Sequence, residues 1–232
     1  CGPNLEYDAA FLELEAATRG KPGQQFGDIV IPAQEPDWPD VAERAVQLLA
    51  RTKDLRVAVW LTRARLHEAG LAGLNEGLRL IVDLLQRYWD QVHPQLDPDD
   101  NMDPTMRLNT LAQLVDPETV LRDLRNVAFL HPRGLGPVLV RDVEAALGKL
   151  PARADAPALT PEQVEAMAAE LAAENPAPVN AVVQAVSLLQ TLYATLSERV
   201  GSDRATDLKP LAAILGCLEH VCRNALPSQA AV

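Results

Sequence analysis

Apolar residues recur at steps of three and four along most of this chain, a spacing that predicts helices rather than strands. From Asp40 onward Val41, Ala45, Leu48 and Leu49 share one face. Asp54 has the chemistry of an N-cap for a second helix, which Gly70 closes. Leu74, Leu78, Ile81, Leu85, Tyr88 and Val92 continue the period in a third helix that stops before Pro94. Short connections make such helices antiparallel neighbours. Asp103 before Pro104 and Asp116 before Pro117 predict two more starts, with the carboxylate on free N–H groups and proline at the first helical position. A small helix around Val138 to Leu147 ends at Gly148.

Both ends of the chain differ from this middle. Before Pro39, Asp8 to Thr18 predicts a short helix ending at Gly20. Gln24 to Ile31 looks extended, with Phe26, Ile29 and Ile31 available to pin it to a surface. One strand without a partner makes no sheet, so the stretch reads as an ordered arm. Pro151 to Ala158 is the best linker candidate. Beyond it Thr160-Pro161-Glu162-Gln163 reads as a capping box. Val164, Met167 and Leu171 lead one helix. Val179, Val182, Val186, Leu189, Tyr193, Leu196 and Val200 define the next. Leu208, Leu211, Leu215, Leu218, Cys222 and Ala225 define the last. The short turn from Gly201 to Thr206 favours packing within the chain over pairing with a second copy.

The expected fold is therefore all-α: an antiparallel helical bundle with an extended N-terminal arm and a C-terminal three-helix unit. The first part covers residues 1–150, with the arm at 1–39, and the second covers 160–226. The two can pack as one body, because a short Pro/Ala connection does not establish independence.

Composition sharpens this picture. The chain is 232 residues, and with only three each of Phe, Tyr and Trp its core must be filled mostly by Leu, Val and Ala. A net charge of −11 argues against nucleic-acid binding, since phosphate contacts need Lys and Arg. Cys1, Cys217 and Cys222 are too few and odd in number for a disulfide framework, and a reducing cytosol fits them best. No uninterrupted apolar run reaches the length of a membrane span, and no signal-peptide pattern opens the chain. A cytoplasmic location is expected.

Candidate chemistry is thin. Asp97, Asp99, Asn101 and Asp103 alternate as in the first half of an EF-hand loop. The glycine position holds Met102 and the bidentate position Leu108, so a proline-punctuated turn accounts for the run better than calcium. Cys217, His220 and Cys222 lack a fourth ligand, and the cysteines read as buried small apolar residues. No nucleophile elbow, P-loop or dinucleotide fingerprint is present. The chain reads as non-enzymatic, with no cofactor and no metal. Arg56, Trp60, Arg63 and His67 fall along one helical stripe, and Trp with Arg is the pairing enriched at interface hot spots. The surrounding Val57, Ala58, Val59 and Leu61 make that helix apolar almost all round. Trp60 therefore fits a core position better than a docking surface, with the arginines paired to carboxylates or snorkelling. Tyr88 and Trp89 pose the same choice. Arg56, Trp60, Arg63, Tyr88 and Trp89 are the partner-binding candidates.

Two long runs carry a resemblance. Arg51 to Ala64 (RTKDLRVAVWLTRA) and Tyr88 to Arg107 (YWDQVHPQLDPDDNMDPTMR) are similar to the N-terminal, ImpA-N domain of the TssA proteins of bacterial type VI secretion systems. The likeness extends upstream through Cys1 to Asp8, Gly20-Lys21-Pro22 and Gln25-Phe26-Gly27-Asp28, and downstream to Leu121-Arg122-Asp123-Leu124-Arg125. It is dense to about residue 130 and looser beyond. The resemblance implies a scaffold or cap in assembly of the contractile tail, engaging baseplate, tube, sheath and membrane-complex components. It further implies a ring formed through a separate C-terminal domain that is not among these residues, leaving this part a monomer or dimer. It accounts for Cys1-Gly2 as a pair normally inside a longer chain, in place of a lipoprotein start. A membrane-anchored, sheath-capping branch of the family is the alternative, and a metal-assisted enzyme using Asp97 to Asp103 is a weaker one.

Overall fold

The computed structural model describes residues 1–223 except Pro22, Asp28, Arg133 and Leu135, and the side chains of Gln24, Phe26, Ile29 and Ile31 lie outside what it describes. The predicted pinning by Phe26, Ile29 and Ile31, and the end of the last seam at Ala225, fall on residues outside that description.

At the centre of the fold is α3 (Leu55–Tyr88), a helical hairpin rather than a rod. Gly70 adopts φ 58° and ψ −134°, which reverses the chain with a single residue. A positive φ at this point suits glycine, which has no Cβ to clash. The two limbs, 55–69 and 71–88, then approach very closely. A Cβ on Gly73 would sit 1.9 Å from the Arg65 carbonyl oxygen, and one on Gly77 would sit 2.3 Å from Thr62 Oγ1. The predicted helix end at Gly70 is thus the tip of a hairpin.

The first limb is buried on two sides, as its nearly continuous apolar sequence suggested. Val57, Leu61 and Ala64 join a small N-terminal core with Phe11 and Leu14 of α1 (Ala9–Ala17) and Trp38, Val41, Ala45 and Leu48 of α2 (Trp38–Arg51). Leu55, Ala58, Val59 and Leu66 face a larger core. Helix starts follow local capping. Asp8 Oδ1 accepts from Ala10 N at 2.9 Å, and buried Asp54 accepts from Arg56 N at 2.8 Å. α2 begins two residues earlier than the periodicity indicated, because Asp37 accepts from Asp40 N and Pro39 sits in its first turn.

The arm corrects the all-α expectation. Gln24–Phe26 (β1) and Ile29–Ile31 (β2) form an antiparallel hairpin that turns at Gly27, φ 61°. Mutual Lys21 and Gln34 backbone bonds of 2.9 Å close its base. A second two-stranded ribbon pairs β3 (Ala128–Leu130) with β4 (Val138–Leu139) across an irregular register. Among the described residues the fold is mostly helical, with two small ribbons.

Between the ribbons lie α4 (Thr105–Ala112), a 3₁₀ turn at Gln113–Val115 and α5 (Val120–Arg125). Asp103 accepts from Thr105 N at 2.8 Å, and Asp116 accepts from Glu118 N and Thr119 N at 2.8 and 3.0 Å. The carboxylates act where predicted, but each helix starts later than its proline. Arg107 of α4 is fully buried and donates to the carbonyls of Trp89, Val92 and Pro94. It thereby ties α4 to the segment that follows α3, from Trp89 to Pro94. Burial pushes its guanidinium down to about 10, against the pull of Asp90, and it stays cationic at neutral pH.

α6 (Val140–Ala146) follows β4, and α7 (Pro161–Glu174) opens with the predicted capping box: Thr160 N donates to Gln163 Oε1 at 2.9 Å and Gln163 N to Thr160 Oγ1 at 3.3 Å. α8 (Ala177–Val200) and α9 (Lys209–Cys222) are the last described elements. Val179, Val182, Ala185, Leu189, Leu192 and Leu196 of α8 are buried in the same core as the second limb of α3. Tyr193, expected in that seam, is 43% exposed, and Leu192 is buried beside it. α8 is long and apolar enough to meet a membrane-span criterion, yet these residues are packed inside the protein.

Two sets of substitutions test the frame. Gly73→Ala and Gly77→Ala are each expected to lower stability by about 3 kcal/mol or more in urea unfolding, from overpacking. Gly136→Ala, where the added methyl meets nothing, should stay within about 1 kcal/mol of the parent. Arg107→Met should cost about 3 kcal/mol or more by orphaning three carbonyls. Arg107→Lys should fail to restore it, because an ammonium lacks the planar fork. Near-parental midpoints in these glycine or arginine variants would refute the corresponding constraint.

Candidate docking groove

One polar cluster ties the N-terminal elements together. Arg63 Nε donates to Asp123 Oδ2 at 2.5 Å, and His67 Nε2 lies 2.9 Å from the same oxygen. The His67 ring stacks on Trp38 with centroids 4.0 Å apart, while the Arg63 guanidinium covers the Trp38 ring at 4.7 Å. Arg63 also reaches the Thr18 carbonyl at 3.4 Å, so α1, α2, α3 and α5 meet here. Burial alone would raise the Asp123 carboxyl, but hydrogen bonds from His67 and Arg63 override it and hold the group at about 2.

Beside this cluster lies an open groove of about 970 Å³. Its walls are the end of α1 and the base of the β1–β2 arm on one side and α3 with the approach to α5 on the other. Trp60 and Arg63 form part of the wall, and Arg19, Lys21, Glu118 and Arg122 supply charge of both signs. Trp60 is partly buried against Phe11, ring centroids 5.2 Å apart.

The candidate residues divide among three places. Arg56 is held by Asp54 at 2.7 Å and Glu6 at 3.3 Å and covers the Phe11 ring at 4.6 Å, so it fastens the N-terminal segment. Trp60 and Arg63 line the groove. Trp89 is buried under Arg107 and Arg199, 5.0 and 5.8 Å from its ring centre, whereas Tyr88 is 38% exposed. Sequence reasoning missed Arg19, Lys21, Glu118 and Arg122 as companions of Trp60. Their convergence depends on how the arm folds back, which no local spacing reports.

The acidic run has a structural account. Asp103 pairs with Arg204 at 2.6 Å, and Asp97 and Asp103 exchange backbone bonds of 3.1 and 3.2 Å. Among the described residues no three His, Cys, Asp or Glu side chains gather as a metal-ligand group. Cys217, His220 and Cys222 do not converge: His220 is 3.9 Å from Glu165, and burial pushes the Cys222 thiol up to about 12.

Residues 1–116 match the family model for ImpA, N-terminal, type VI secretion system. The chain belongs to that family. Among curated relatives of this ImpA N-terminal chain is the type VI secretion system component TssA1 of Pseudomonas aeruginosa strain PAO1. It is 41% identical over 216 residues, which are 93% of this chain and 62% of the relative's length. Among solved structures is the N-terminal domain, including the conserved ImpA_N region, of the TssA component from Burkholderia cenocepacia. It superposes with a TM-score of 0.70 at 25% identity, covering all of this chain and 90% of that one. The groove's lining residues from Glu15 to Gln113 fall within the matched residues, and those from Glu118 to Arg122 lie beyond them.

The Asp123 cluster predicts an acid response. A carboxyl held at about 2 in the fold and 3.8 without its partners stabilises fully above about pH 4 and loses that contribution as pH falls toward 2. The amount is about 2 kcal/mol. Asp123→Asn is expected to be about 3 kcal/mol less stable at pH 7, with a flatter stability profile between pH 4 and pH 2. Urea titrations across that window check it, and an unchanged slope would remove Asp123 from the acid response.

Proposed function

We propose that this chain is a non-enzymatic assembly module of a type VI secretion system, working in the cytoplasm and docking through the Trp60 groove onto a tail, baseplate or membrane-complex component. Membership of the ImpA N-terminal family makes it part of that machine. The observation that carries the docking role is the groove itself, open, half apolar and rimmed by both signs of charge, with its lining from Glu15 to Gln113 inside the residues the family model covers. A buried aromatic anchor with a polar rim is the anatomy of a protein-binding surface. Arg56 and Trp89 serve this role indirectly, by holding the N-terminal segment and the end of α3 in place. Tyr88 is accessible for contact but lies apart from the groove residues in sequence and packing. In the longer protein, ring formation elsewhere in the chain would multiply one weak groove into strong attachment.

The test uses the full-length protein in a secreting cell. Arg19→Glu with Lys21→Glu reverses charge on exposed side chains of the groove rim. The expected outcome is at least about a tenfold loss of secretion and of crosslinks to tail components, with the purified variant's thermal midpoint within about 2 °C of the parent. Full secretion, or crosslinks recovered only to metabolic enzymes, would overturn the assignment.

A further inference from the structure

A second groove, of about 660 Å³, runs between α8 and α9 and is not used by the docking role above. Its floor is apolar, with Leu189 of α8 and Leu215 of α9 at 4% and 0% exposure, and Tyr193 stands exposed at its mouth. Gly216 lies in the same groove, in the interior of α9. Glycine weakens a helix interior relative to alanine, so it needs a reason. The described residues supply none: among them a Cβ built on Gly216 meets nothing within 4 Å, unlike those on Gly73 and Gly77. What the missing side chain does provide is space for another backbone to come close.

The charge around the groove selects what comes. Asp203, Asp207 and Glu219 line it, and Lys209 is the sole cation among the described lining residues. Two copies meeting through this face would bring acidic rims together, which repels. We propose that the α8–α9 groove receives an amphipathic helix of a partner protein, its small and apolar stripe seated over Gly216 and Tyr193 and its basic flank against Asp203, Asp207 and Glu219. This is helix-in-groove recognition, with anchors at helical spacing supplying contact and charge setting orientation.

The probe is a synthetic 18-residue helical peptide with a Leu/Ala stripe and a Lys flank, compared with the same peptide carrying Glu for Lys. Both are titrated by fluorescence anisotropy against the purified chain. The Lys peptide is expected to bind at least about tenfold more tightly than the Glu peptide, a difference that shrinks with salt. Gly216→Ala should raise the thermal midpoint by about 2–4 °C while weakening the Lys peptide at least about fivefold. A purely structural glycine would not move those two readouts in opposite directions. Gly216→Leu should abolish binding with the helical circular dichroism retained, and Asp207→Lys with Glu219→Lys should reverse the peptide preference. Equal binding of the two peptides, an unchanged affinity in Gly216→Ala, or a dimer by light scattering that Gly216→Leu dissociates would each overturn the proposal. None of these outcomes bears on the Trp60 groove, whose test uses other residues.

Discussion

The fold depends on how closely the two limbs of α3 approach. Reversing a helix with one residue at Gly70 leaves no loop to absorb a misfit, so the limbs must pack with almost no separation. Gly73 against the Arg65 backbone and Gly77 against Thr62 make this approach sterically allowed. Close packing of the limbs lets a narrow spine carry both cores. α1 and α2 lie against the first limb, and α8 lies against the second. Because protein interiors are as dense as organic crystals, the spine cannot widen without opening voids on both sides.

Buried polar groups then secure the ends of that spine. Arg107 gathers three carbonyls beyond Tyr88, and Asp54 holds the opposite end of the chain segment by capping Leu55 onward and pairing Arg56. The extreme N-terminal residues are fastened to the same place. Lys53 N donates to the Cys1 carbonyl at 2.7 Å, Thr52 Oγ1 donates to that of Pro3 at 2.7 Å, and the His93 ring meets that of Gly2 at 3.2 Å. Midway along the first limb, Asp123 draws Arg63 and His67 toward α5 and fixes one wall of the groove. Each of these groups would be costly to leave buried without its partner.

What sequence revealed and what it concealed divide by distance along the chain. The caps at Asp54 and Thr160 and the helix end at Gly70 are legible because capping and positive-φ chemistry act within a few residues. The two ribbons are not. β1 and β2 are three residues each, too short for a period, and β3 is separated from β4 by a loop whose pairing no local pattern announces. Tyr193 shows the limit of spacing by three and four: Leu192 beside it fits the inner face as well, and packing against α3 chose Leu192. The acidic run lacked an evident partner because Arg204 lies about a hundred residues away. The burial of Arg107 is not legible locally, since an arginine on an amphipathic helix ordinarily reads as surface. Trp60 and Arg63 were recognised as a stripe, but their groove required the folded arm.

The three tryptophans are distributed between the cores in a way that gives each an optical label. Trp38 and Trp60 belong to the N-terminal cluster, whereas Trp89 sits in the larger one between guanidiniums from α4 and α8. Lifting α8 from the spine would strip Arg199 from the Trp89 indole and leave the environments of Trp38 and Trp60 intact. Intrinsic emission from this chain can therefore distinguish a parting of its two halves from a loosening of its N-terminal segment, without any attached dye.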